Sequence, residues 1–125
     1  MSKDSELVQK SIDFSIELSN YYDWLCTEKR DYIISKQIFR SGTSVGANIH
    51  EGIYASSRAD FSNKLRIALK EASETEYWFV ILENTNKLPI EFISLKNRCK
   101  SLIRMLIRSL STLKDNDESP NQIQE

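Results

Sequence analysis

Glycine and proline are nearly missing from this chain: three of the first and two of the second in 125 residues. So few backbone breaks leave long helices as the expected structure. Histidine occurs once, at His50, and the two cysteines, Cys26 and Cys99, stand far apart with no CxxC spacing. That excludes a disulfide framework and a zinc-finger ligand set. The thiols are expected to be free, as small core side chains in a cytoplasmic protein. No apolar run approaches the roughly 18 residues of a membrane span. The amino terminus, MSKDSELVQK, also lacks the apolar stretch of a secretory signal. No membrane partner is expected.

Charge and apolar content are ordinary for a soluble domain, at 28% and 40% of residues. The length suits one domain. The formal net charge of −1 hides an asymmetry, because Asp115, Asp117, Glu118 and Glu125 lie in a final stretch with no base. Without those four acids, residues 1–114 carry +3, well short of a dedicated nucleic-acid binder.

The apolar periodicity predicts four helices, at about 5–26, 31–55, 58–84 and 90–114, followed by a disordered acidic tail, 115–125. In the first, Leu7, Phe14, Leu18, Tyr21 and Leu25 form a seam that Val8, Ile12 and Ile16 widen. The third repeats steps of four and three from Phe61 to Leu82, with Ser57 and Asp60 resembling a capping box at its start. Pro89 suits the first position of the fourth helix. Short connections between long amphipathic helices predict an all-α, antiparallel up-and-down four-helix bundle.

All three glycines fall in one stretch, SGTSVGANIHEG. A phosphate loop would need GxxxxGK, and Ala47 stands where the lysine is required. A membrane GxxxG contact is at odds with Arg40, Asn48, His50 and Glu51 in the same segment. On a helix, Gly42, Gly46 and Gly52 share a face with Ile38, Val45 and Ile49, which reads as a groove for close helix packing. The opposite stripe, including Arg40, Asn48 and Glu51, is either a solvated face or a polar network with Arg40 forked onto Glu51, Glu71 or Glu74.

Two further surfaces stand out. Ile67, Trp78 and Ile81 flank the apolar seam of the third helix, more apolar surface than one bundle core requires, and one such face is expected to meet another subunit. On the fourth helix Lys96, Lys100, Arg104 and Arg108 recur every four residues. They form either a solvated stripe or a track for phosphates. Catalytic chemistry finds little footing. No Glu-x-x-His pair is present for a di-iron site, no nucleophile motif accompanies His50, and Glu71 and Glu74 are better placed to pair with a base than to act as an acid/base couple. No catalytic residue, cofactor or metal is expected.

The segments QIFRSGTSVGANIHEG and SRADFSNKLRIALKEASETEYWFVILE closely resemble the bacterial four-helix-bundle family, also known as the intervening-sequence proteins of large-subunit ribosomal RNA genes. The likeness spans roughly residues 8 to 112. It implies a left-handed antiparallel bundle that assembles into a ring, commonly a homopentamer. It also favours the polar network over the solvated face. The accessory variability determinant of diversity-generating retroelements, a strongly basic pentamer that binds nucleic acid and a reverse transcriptase, is a more distant likeness. The expected function is a non-enzymatic homo-oligomeric scaffold or binding module whose protein partner is unknown. The alternatives are a nucleic-acid-associated accessory protein using the basic stripe weakly and, behind that, an enzyme of unrecognised type.

Overall fold

The periodicities resolve into helices α1 (Ser2–Thr27), α2 (Ile34–Ile53), α3 (Arg58–Asn84) and α4 (Ile93–Asp117), the last preceded by a short 3-10 turn, Ile90–Phe92. The computed structural model describes residues 2–117, and among these no strand occurs. Successive helices pack as neighbours and α4 closes against α1, giving a four-helix bundle in which α2 and α3 are the closest pair and α1 and α4 the most open. The core is the heptad seam: Leu7, Phe14, Leu18, Tyr21 and Leu25 of α1 meet Leu65, Ala72, Phe79 and Leu82 of α3 and Leu95, Leu102 and Leu106 of α4. Tyr21 is stacked on Phe79 at 6.1 Å and tilted on Phe92 at 5.1 Å.

The α1 seam is narrower than its composition suggested. Ile12 and Ile16 are 44% and 61% exposed, because at 100° per residue Ile16 lies diametrically opposite Leu7 and Leu25. Helix α2 is shorter at both ends than the sequence implied. It begins at Ile34 because the chain before it is tied to the Asp31 side chain. It stops at Ile53 because the N–H groups of Tyr54 and Ala55 turn back three residues to the carbonyls of Glu51 and Gly52. Ser57 does cap α3, accepting from the Asp60 N–H at 3.1 Å. The Asp60 carboxylate, however, accepts from Ser56 rather than closing the reciprocal box on Ser57. Pro89 precedes the 3-10 turn instead of opening α4. At the other end α4 continues to Asp117, so Asp115 to Asp117 are helical where a tail was expected. The rest of that expected tail, residues 118–125, lies outside the described residues.

Candidate binding surfaces

The glycines set how closely α2 approaches its neighbours. A Cβ on Gly42 would stand 2.2 Å from a terminal methyl of buried Leu18, and one on Gly46 would stand 3.2 Å from the Ser11 hydroxyl of α1. Gly52 faces the other way, with the Phe61 ring of α3 at 3.2 Å from the same construction. On the α3 side, Ser41 and Thr75 are fully buried and their hydroxyls are 2.8 Å apart. Each hydroxyl also has a carbonyl of its own helix within reach, Glu71 for Thr75 at 2.8 Å and Ile38 for Ser41 at 3.4 Å.

Above this buried pair, Arg40 forks onto two carboxylates, Glu71 at 3.2 Å and Glu74 more tightly. Glu74 also accepts from the Trp78 indole at 3.0 Å. The Arg40 guanidinium first, and then the indole, hold the Glu74 carboxyl below the usual range. Two of the expected network members stand apart. Glu51 pairs with Lys64 at 2.9 Å, because Glu51 lies about three turns along α2 from Arg40. Asn48 spends its amide on the Ser44 carbonyl of its own helix at 2.8 Å.

Ile67, Trp78 and Ile81 lie together on the outer flank of α3, each half-buried. Beside them Tyr77 is 57% exposed and packs edge-on against Trp78. A single chain leaves this apolar flank partly open.

A second polar cluster, invisible in the sequence pattern, closes one end of the bundle. Helix α3 ends in a Schellman arrangement: Asn86 adopts φ 60°, and the Lys87 N–H returns to the Leu82 carbonyl at 2.8 Å. Helix α1 ends on a variant one residue longer, with Arg30 at φ 51° and the Asp31 N–H donating to the Leu25 carbonyl at 3.0 Å. The residues that follow the two left-handed positions, Asp31 and Lys87, then pair with each other at 3.0 Å. The other Asp31 oxygen accepts from the N–H groups of Ile33, Ile34 and Ser35 at 3.1, 2.9 and 3.3 Å. Tyr21 donates to the Lys87 carbonyl. Burial pushes the Asp31 carboxyl up, but Lys87 and the N–H groups of Ser35 and Ile34 outweigh it and hold the group below the usual range. Burial drives the Tyr21 phenol far upward, so it stays a donor.

The basic stripe of α4 divides. Lys96 is bound to Glu83 of α3 and is not free to hold a phosphate. The inserted base Arg98 lies 2.8 Å from the otherwise unpartnered Glu17 oxygen of α1, an ion pair without a directed hydrogen bond. Lys100, Arg104 and Arg108 are exposed and form no ion pair among the described residues. Arg108 also borders a cavity of about 220 Å³ at the end of the bundle opposite the Asp31 cluster. Phe61, Met105 and Leu113 give it apolar walls, and Glu6, Arg108 and Thr112 a polar rim. Among the described residues no three acidic, histidine or cysteine side chains are placed to hold a metal ion, and no helix is long and apolar enough to cross a membrane. Both cysteines are free; burial pushes the Cys99 thiol up to about 12.

A comparison with curated proteins finds no match. Among solved structures, the chain is similar to a Bacteroides thetaiotaomicron protein of unknown function from the S23 ribosomal protein family. The two are 45% identical with a TM-score of 0.83, over 87% of this chain and 98% of that one. The profile of the 23S rRNA-intervening sequence proteins matches residues 3–108. With that match over most of its length, the chain belongs to the 23S rRNA-intervening sequence protein family.

Proposed function

We propose that this protein is a non-enzymatic, homo-oligomeric scaffold or binding module of the cytoplasm, a ring of bundles joined through the outer flank of α3. The observation that carries this is the flank of Ile67, Tyr77, Trp78 and Ile81, apolar side chains interleaved with Glu71 and Glu74 and only partly covered by their own chain. Such a strip is expected at a subunit contact, where aromatic residues concentrate. The paired carboxylates support the non-enzymatic part. Arg40 holds both Glu71 and Glu74, and Trp78 also holds Glu74; a general base poised near neutral pH needs its pKa raised, whereas that of Glu74 is lowered.

Light scattering after gel filtration tests the reading. The expected mass is several times 14.5 kDa, and Ile81→Lys, which sets a charge into the strip, is expected to give helical monomers. A wild-type monomer at micromolar concentration overturns it.

A second reading is a nucleic-acid-associated accessory role, favoured by one observation: Lys100, Arg104 and Arg108 stand exposed and unpaired on α4. Binding of RNA or DNA that weakens steeply with salt is its expected signature.

A further inference from the structure

Arg108 belongs to two features at once: it ends the row of unpaired cations and it borders the cavity. Lys100, Arg104 and Arg108 follow one another at about 6 Å of helix rise. Like charges at this spacing oppose the helix that carries them, and no described carboxylate lies within ion-pair distance of them. Beyond the row, the cavity offers the Phe61 ring and the Met105 thioether, with Glu6 and Thr112 as acceptors beside Arg108. Glu6 makes one long ion pair there, to Lys10 at 3.8 Å. The Thr112 hydroxyl donates to the Arg108 carbonyl at 3.0 Å, which leaves its lone pairs to accept.

We propose that row and cavity form one site for single-stranded RNA, with phosphates along Lys100, Arg104 and Arg108 and the next nucleobase turned into the cavity against Phe61. The proposal rests on the second reading above and adds a base pocket to it. A flat anionic membrane would meet the cations but leave the recessed cavity unfilled. A duplex would have to break a pair to offer a base, whereas a single strand presents its bases for stacking at no such cost. Glu6 and Thr112 both accept, so the fitting base carries an exocyclic amino group, and adenine is the natural probe.

The test is fluorescence anisotropy of the full chain with labelled oligo(A) RNA and with an abasic strand of equal length, across a salt series. Oligo(A) is expected to bind roughly five- to a hundredfold more tightly than the abasic strand. For both, log K against log salt should have a slope of about −2, from about −0.7 per contact. Arg104→Gln should flatten both slopes by about 0.7. Thr112→Trp, which blocks the mouth from an exposed position, should bring oligo(A) to the abasic level and leave the slope intact. Equal affinity of wild type for the two strands overturns the base pocket while leaving the phosphate track. Absence of binding to either strand at low salt overturns the second reading and the pocket together. Stripe-dependent capture by phosphatidylserine vesicles, with none of oligo(A), assigns the cations to a membrane and overturns the proposal.

Discussion

The two ends of this bundle use the same helices to opposite purpose. At one end the α1–α2 and α3–α4 turns are tied to each other, and Asp31 spends both oxygens on four donors. At the other, α3 begins and α4 ends around a cavity, beside cations with no ion-pair partner among the described residues. A satisfied buried polar cluster fixes one arrangement of the chain, whereas a cavity and unpaired charge leave stability unrealised. Proteins tolerate that mostly where something binds. The difference locates the stabilising residues at one end and the candidate binding residues at the other.

The largest expected effect lies at the tied end. Asp31→Ala removes a cap for three N–H groups and strands the Lys87 ammonium, and should cost about 2–4 kcal/mol in urea unfolding. The same pair makes a pH dependence. The Asp31 pKa is lower folded than unfolded, so its stabilisation is complete above the unfolded value of about 4 and is lost as pH falls through the folded one. Wild type should therefore lose more stability than Asp31→Ala on acidification below about pH 4. Parallel losses would show that Asp31 is not the group responsible.

Tolerance should grow along α2 from its middle toward the open end. Gly42→Ala drives a methyl into the fully buried Leu18, which must shift within the packed core, and should cost about 1–3 kcal/mol. Gly46→Ala brings a methyl to 3.2 Å from the buried Ser11 hydroxyl, a milder crowding than at Gly42. There the helix-propensity gain of about 1 kcal/mol should offset the crowding. Equal melting temperatures for the two variants would remove the distinction between a hard clash and a tight fit.

These contrasts were legible in the sequence to different depths. The heptad seams of α1, α3 and α4 could be read directly, because burial imposes their period whatever the partner. Arg40 with Glu71 and Glu74 was also within reach, since two carboxylates three residues apart on one helix flank call for a cation. The lock was not. Asp31 and Lys87 are 56 residues apart, and each sits in a polar turn that looks like ordinary punctuation. The one local sign was an aspartate just before the apolar start of α2, placed to accept from that helix's free N–H groups. The cavity has no sequence signal at all, because its walls come from three helices that meet only in the fold.

A smaller effect, of opposite sign, is expected beside the lock. Arg30 holds φ 51° without the freedom of glycine, a conformation that costs an L-residue about 1–2 kcal/mol. Arg30→Gly relieves it but gains unfolded-state entropy of about 0.5–1 kcal/mol. The net result should be stabilisation of up to about 1 kcal/mol in thermal unfolding. A clear loss would mean that the arginine side chain itself braces the turn.

The smallest effect belongs to the open end and needs no ligand. Arg104 stands one turn from Lys100 and one from Arg108, so Arg104→Gln removes two like-charge pairs, each worth about 0.2–0.5 kcal/mol against the helix. A polar, helix-compatible glutamine replaces it on an exposed face, where packing changes are slight. The variant should thus be more stable than wild type by about 0.5 kcal/mol in low salt. That gain should vanish near 1 M salt, where the screening length falls to about 3 Å. Paired melts at the two ionic strengths decide it. A variant less stable than wild type would show that Arg104 is engaged within the protein, and the picture of an end left electrostatically unfinished would fail with it.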